Sequence, residues 1–579
     1  MRMILRRGRM ESELWKKYQN VASLLEEESL KDPKEEPYRS RYKAKNILLE
    51  MESMVTKNLE NLDPSHADHT TNTAMLAAIL MQIGIISIET EEPSEGEEYL
   101  MKAFEMITDH LDRRFVINSM HIRNHLGILW SQRSESSKAQ TWLEGSEKLY
   151  EDYKKRSPTE SPLTPQELFE VNGEEEKNHG SREIERVHTL TKFYLAQVYG
   201  SLKDLLRSAI YCHETLRRQL VCGEYDSIDW ALNSATLSQF FMERILFTQA
   251  RHHLAAASYI LEKYENSLKD MTGTEEEIEG KKEELRHRSA DVSRCWAKYG
   301  IFLLEYSTNK LCSPQSEKEK ETEDGDLKDL WFTSLDLSKY ENEVLACELV
   351  MYEDARQTFL FTQRHLNKAK EYYSLECHAS DHVQVVQDHS QLFKHLTAFE
   401  NDEDKQCKMI KRRIDLLQDV LKELNPKYYL HACRQLWFEL GESYHDIMHI
   451  KFQRVKGSKE VPTPHALKKI NFLIEQSIAN FTHFLDSVKE NSTKELPEVL
   501  DEEMIKPTLI AHFYLGRLYY KIITQDVNKQ AENMNKSYTC FQYLVDYCNK
   551  SDYAKELLSE ELNVSKEMMS LLQIKSLQI

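Results

Sequence analysis

The chain has 579 residues, 40% of them hydrophobic, a net charge of −20 and few helix breakers, with 16 Gly and 13 Pro. That balance predicts a helical protein with enough apolar side chains for a continuous core. It argues against nucleic acid or an anionic membrane surface as the main ligand and favours a basic partner, although an acidic surface also serves solubility alone.

Ten cysteines are scattered without a C-x2-C pair, as expected of reduced thiols in a cytosolic protein. The start carries Arg2, Arg6, Arg7 and Arg9 but no apolar stretch of the secretory kind, and Glu11 and Glu13 speak against a mitochondrial presequence. The longest apolar run, Ala74 to Ser87, is shorter than the about 20 residues that a membrane span needs. The expectation is a soluble cytoplasmic protein with no membrane insertion.

In chain order, residues 12–28 and 38–56 are predicted helices, separated at Pro33 and Pro37 and covering the first end of an array. A polar loop is expected over 59–69. Residues 70–110 give a first helix pair, Thr70 to Ile88 and a second helix from Pro93. In the second pair Leu126 and Gly127 take the Leu-Gly places of the tetratricopeptide signature W-x2-L-G-x2-Y, with Trp130 in place of Tyr. Ala139, Leu143 and Ser146 then fill the small, large and small places of its second helix. A polar insertion from Arg156 to Glu185 is expected to be an exposed or mobile loop.

The third pair carries Leu195, Ala196 and Tyr199, then Ser208 and Cys212. The fourth carries Leu237, Ser238 and Phe241, then Ala250, Leu254 and Ala257, with Asp226 or Ser227 as cap. Residues 264–284 form an acidic insertion, and 289–307 return to helix. Residues 313–326 are charged and of low complexity, predicting a solvated loop at an interior boundary. Residues 328–375 predict one or two long helices, and 383–399 with 405–424 another pair.

Trp437, Leu440, Gly441 and Tyr444 match all four signature positions. Trp, Leu and Tyr at i, i+3 and i+7 share one helix face. Gly441 costs about 1 kcal/mol relative to Ala in mid-helix, which close approach of the second helix offsets. After a polar insertion from Arg454 to Pro464, that helix is predicted over 466–488. The last unit keeps Leu515, Gly516 and Tyr519, with His512 in the Trp place. Its second helix is predicted over 536–548, and a capping helix over 553–575. The fold class is therefore all-α, a tetratricopeptide-repeat α-solenoid.

No phosphate loop, dinucleotide fingerprint, nucleophile elbow or H-E-x-x-H motif is present, which predicts no enzyme, no cofactor and no small-molecule substrate. Cys377, His378, His382 and His389 are the one metal-like cluster, and surface and helix-cap roles account for them as well. Lys408 to Arg413 is a basic turn that reads as a solvated helix face. Trp130, Tyr199, Phe241, Trp437 and Tyr519 occupy core places of their repeats. In an antiparallel helix-pair solenoid the first helices line the groove. Their polar positions, Asn124, Tyr194, Gln197, Asn233, Thr236 and Gln239, are the candidate partner-binding residues. A merely solvated groove would carry the same residue types.

Several stretches resemble the kinesin-binding protein family, tetratricopeptide-repeat inhibitors of kinesin motors. They are Asn124 to Trp130, Tyr194 to Tyr199, Ala235 to Phe240, Asp381 to Phe393, Cys407 to Arg413, Lys521 to Thr524 and Lys31 to Tyr38. The likeness covers nearly the whole chain; the Arg-rich start, the short loop at 59–69 and the segment 308–345 depart from it. It implies a right-handed solenoid of about nine helix pairs in two halves, here 1–307 and 346–579 with a linking segment 308–345. It also implies binding to the motor domains of a subset of kinesins, at groove positions matching Tyr194, Gln197, Gln219 and Thr236. Gln219 enters the candidate set through the resemblance alone. The consequences expected are motors kept off microtubules and a role in transport and axon outgrowth. A generic scaffold or co-chaperone is the alternative. A co-chaperone's carboxylate clamp needs Lys or Arg on successive inner helices, where this chain has His125, Tyr194 and Thr236.

Overall fold

The computed structural model describes residues 2–63, 67–157, 159–170, 179–312, 327–458, 462–490 and 495–576. Its helices are α1 (Arg2–Ser23), α2 (Arg39–Leu59), α3 (Ala67–Glu89), α4 (Pro93–Glu105), α5 (Val116–Gln132), α6 (Ser136–Arg156), α7 (His179–Ser201), α8 (Leu205–Cys222), α9 (Ser227–Glu243), α10 (Phe247–Lys269) and α11 (Glu275–Cys312). They continue as α12 (Ser338–Glu341), α13 (Tyr352–Tyr372), α14 (Ala379–Phe399), α15 (Glu403–Glu423), α16 (Leu430–Gly457), α17 (Pro464–Val488), α18 (Glu502–Lys521), α19 (Val527–Lys550), α20 (Asp552–Leu557) and α21 (Ser559–Ser576). Among the described residues there is no strand. The chain forms two compact units, residues 1–240 with 322–336, and residues 241–321 with 337–579.

In the first unit α3 packs on α4, α5 on α6 and α7 on α8, while α5 also touches α3 and α7. The apolar α3 is long enough to cross a membrane by composition, but it is largely buried inside this unit. The same turn closes α3, α5, α7 and α9 at their C-termini. Glu92 N–H donates to Ser87 O at 2.8 Å, and Glu135 to Trp130 O, Asp204 to Tyr199 O and Leu246 to Phe241 O at 2.9 Å each. This six-to-one bond closes a helix C-terminus on a left-handed residue. That residue is Glu91, Ser134, Lys203 or Ile245, at φ of 66°, 63°, 63° and 62°. The same turn at the same register four times is structural evidence of a repeat. It also places Gly84, Gly96 and Leu100 where Gly127, Ala139 and Leu143 stand, so the helix pair expected over 70–110 carries the signature frame, which its sequence alone did not show.

In the second unit α11 packs on α13, α14 on α15, α16 on α17 and α18 on α19. Close approach occurs at the signature glycines and at Gly300 of α11, where an added methyl would meet Thr362 of α13. A methyl added at Gly441 would stand 2.9 Å from the Phe481 ring, and one at Gly516 2.8 Å from Phe541. Both rings are fully buried.

Several expectations are corrected. The insertion at 156–185 is partly ordered: Leu163 N–H bonds Arg113 O, Leu168 and Phe169 are buried, and Phe169 stacks on Tyr18 at 4.6 Å. Its centre, 171–178, lies outside the described residues, as does the charged boundary at 313–326. The acidic insertion at 264–284 is helical over 264–269, the end of α10, and again from Glu275. Thr274 and Glu277 form a capping box, each backbone N–H bonded to the other's side chain at 3.1 and 3.3 Å. Residues 327–351 are no long helix but an irregular strap with only α12 in it. Its Leu327 and Phe332, in the first unit, and Leu349, in the second, are buried. The insertion at 454–464 begins late, because α16 runs to Gly457 and Arg454 pairs with Glu403 and Asp404 at 2.6 and 2.9 Å.

A further correction is Arg413, which is 1% exposed rather than solvated. Its Nε donates to Ser390 Oγ at 2.7 Å and its guanidinium pairs with buried Glu439 at 3.2 Å. Lys408, Lys411 and Arg412 are exposed as expected. Another is that Trp130, Trp437 and Tyr519 are only half-buried, whereas Tyr199 and Phe241 are core. The second helix of the last unit starts at Val527, ahead of its predicted start, and the terminal helix divides at Leu558 into α20 and α21.

Candidate partner-binding face

The candidate residues fall on α7, α8 and α9. Tyr194 and Gln197 share a face of α7, because three residues is close to one helical turn. Gln197 is exposed and Tyr194 half-buried. The Tyr194 ring packs against the cluster of Ala139, Leu143, Leu195, Val198 and Tyr199, and burial raises its phenol pKa, keeping it a neutral donor. On α9, Asn233, Thr236 and Gln239 are all exposed and fall three apart on one stripe. Gln219 stands apart from both rows. It is half-buried in the last turn of α8, where its carbonyl accepts the N–H of the cap residue Gly223 at 2.9 Å.

Asn124 does not belong to such a face. It is 4% exposed, donates to Val187 O at 3.3 Å and accepts from Thr191 Oγ1 at 3.0 Å. Its amide ties α5 to α7 from inside. Helix α5 packs on α3, α4, α6 and α7, and a helix covered on so many sides has no free polar stripe.

Two residues beside the polar row were missed. Leu190 and Phe193 of α7 are 38% and 37% exposed. With Gln197 they form one row at i, i+3 and i+7. The signal was present in the sequence as two large apolar residues on a face that otherwise reads as polar.

Ion pairs brace α7 from its neighbours. Lys192 Nζ lies 2.8 Å from Glu147 and 2.5 Å from Glu214, and Tyr211 OH donates to Glu147 at 2.8 Å. Glu185 accepts from Tyr150 OH at 2.8 Å and from Arg218 at 2.6 Å. Burial pushes the Glu185 carboxyl up, and bonds from Lys154, Tyr150 and Arg218 more than reverse it, so it sits below the usual range. Tyr199 OH donates to Glu144 at 2.5 Å and receives Arg207 at 3.2 Å. Helices α6, α7 and α8 are thus cross-linked, which fixes the rotation of α7 and hence the direction of Gln197.

The metal-like cluster is used otherwise. His382 Nδ1 lies 2.8 Å from Tyr373 O, and His378 stacks on Tyr372 at 5.4 Å. Burial pushes His389 down to about 4. Among the described residues no three His, Cys, Asp or Glu side chains are grouped to hold a metal ion.

Comparison with known proteins gives one consistent answer. The family model described as KIF-1 binding protein C terminal matches residues 228–578. The chain is 38% identical to a KIF-binding protein of Gallus gallus, over 96% of this chain and 95% of the relative. It is 36% identical to that of Homo sapiens, over 97% of each. A solved structure titled kinesin binding protein (KBP) superposes with a TM-score of 0.66 at 32% identity, covering 97% of this chain and 98% of that one. Near-complete coverage at this identity places the whole chain, rather than a shared repeat, within one family: it belongs to the KIF-binding proteins.

Proposed function

We propose that the chain binds the motor domains of a subset of kinesins and keeps them from attaching to microtubules. Through this it regulates cargo transport, microtubule dynamics and the outgrowth of neurites and axons, as a cytoplasmic, cytoskeleton-associated protein. The observation that carries the reading is family membership over nearly the full length, with a relative of known structure named for kinesin binding. The net charge of −20 supports it, since a motor surface that meets an acidic track is basic. The binding face we propose is the α7 and α9 rows, Tyr194, Gln197, Asn233, Thr236 and Gln239, with Gln219 at its edge. No catalysis is needed, because a motor surface held here is unavailable to its track.

The finer architecture belongs to the same proposal. It is a right-handed tetratricopeptide solenoid of about nine pairs, divided by repeats into 1–307 and 346–579 around 308–345. The four matching turns support it.

The test is co-sedimentation of a panel of kinesin motor domains with microtubules. The purified chain is expected to move at least one motor from pellet to supernatant. Unchanged pelleting across the panel sinks the proposal.

A further inference from the structure

The second unit holds a cleft of about 390 Å³ whose charge runs against that of the chain. Lys394 of α14, Arg413 of α15, His445 and His449 of α16 and Arg517 of α18 line it, with Asp446 as the one acidic residue. Asp446 and Glu439 lie 3.6 and 3.2 Å from Arg413 and are engaged there. Lys394 is exposed and Arg517 half-buried. His445 is 8% exposed, yet neither ring nitrogen has a hydrogen-bond partner in the protein; its nearest carboxylate oxygen, on Asp446, is 3.7 Å away. A buried donor left in this way is costly unless something else receives it.

The cations also strain one another. Lys521, half-buried beside this wall, is pushed down to about 8 by burial and then by Arg517 and Lys456. Burial, Lys521, His445 and Arg517 push His449 down in the same way. An anion entering the cleft relieves each of these repulsions.

We propose that this cleft binds an acidic peptide segment of a partner protein, its Asp or Glu carboxylates received by Lys394 and Arg517 with His445 donating from the floor. The spacing favours a peptide over a single compact anion. Packed helix axes stand roughly 8–10 Å apart, and Lys394 on α14 and Arg517 on α18 belong to helices further apart than one packed pair, with α16 also lining the cleft, so the two cations suit carboxylates strung along an extended chain. Ile410 and Ile450 between them offer apolar wall for the intervening residues. This site is independent of the α7 and α9 rows and of the motor-binding proposal.

The experiment is fluorescence anisotropy of fluorescein-labelled hexaglutamate titrated with the full chain. Saturable binding that weakens with salt is expected. Lys394→Gln with Arg517→Gln is expected to weaken it about tenfold, while Lys506→Gln, an exposed lysine of α18 outside the cleft, leaves it unchanged. If the double variant loses its helical circular dichroism, Arg517→Gln alone makes the same comparison. Equal binding of hexaglutamine, or full binding by the folded cleft variant, would overturn the proposal. So would saturable calorimetric binding of inorganic phosphate with none of hexaglutamate.

Discussion

Ser477 Oγ donates to Gly441 O at 2.7 Å, joining the second helix of a pair to the backbone of the first at the point where the first has no side chain. Ser537 does the same to Gly516 O at 2.7 Å, and Ser208 to Ala196 O at 2.8 Å. A small residue exposes the carbonyl, and a serine one helix away takes it. Each pair is therefore tied by a hydrogen bond at its small residue, and the Gly441 and Gly516 pairs also by a buried ring one turn further on, Phe481 or Phe541.

Close approach sets the sign of glycine substitutions. A methyl at Gly84 would stand 2.9 Å from Gly96 O, which is backbone and yields little, while nothing lies within 4 Å of Gly280. Gly84→Ala is expected to destabilise the chain by about 1–3 kcal/mol through overpacking. Gly280→Ala, on the exposed start of α11, is expected to stabilise that helix by about 1 kcal/mol. Thermal and urea unfolding followed by circular dichroism check both.

Arg413 and Glu439 form a buried pair, so removing one leaves a charge without its partner. Arg413→Met is expected to cost about 3–5 kcal/mol. Adding Glu439→Met should recover most of that loss, because two apolar side chains of similar volume replace the pair. A double-mutant cycle on urea midpoints measures it; additive losses would show that the pair is not the source.

His188 is 4% exposed, stacked on Tyr150 at 3.6 Å, and pushed down to about 2 by burial and then by Arg218, Lys192 and Lys154. The folded ring stays neutral, whereas the unfolded one takes a proton below pH about 6.5. Its contribution is full above that pH and is lost as the pH falls. From pH 7.5 to 5.5 this one residue should cost about 1.4 kcal/mol. Unfolding of His188→Phe at the two pH values should show a smaller drop than the parent chain.

At the binding face, Tyr194→Ala with Gln197→Ala is expected to weaken motor-domain binding at least about tenfold, the scale of a hot-spot loss. Circular dichroism should be unchanged. Full affinity in a folded double variant would reject the α7 row as the site.

The pairs legible in the sequence are those where a small residue follows the signature leucine: Gly127, Gly441 and Gly516, and also Ala196 and Ser238. The helix pair at 70–110 was legible but its register was not, because Ser87 stands where the signature has an aromatic residue. Arg413 escaped because its basic neighbours suggested solvent, although Ile410, Ile414 and Leu417 mark the buried stripe on which it lies. Thr274 and Glu277 spelled a capping box in a stretch that composition alone assigned to a loop. The α9 row was readable from spacing, since a helix exposed on one side shows its polar stripe. Asn124 was not, because the covering of α5 comes from neighbours distant in sequence.

The capped start of α11 has a practical use. Residues 275–284 are exposed almost throughout, and at 1.5 Å per residue they extend about 15 Å. Ion pairs such as Arg286 with Glu279 and Glu283, at 2.8 and 2.6 Å, stiffen this arm along its length. A dye or spin label near its tip would turn with the second unit as a needle turns with its dial. The acidic stretch thus provides a built-in pointer for following that unit's rotation when a partner is added.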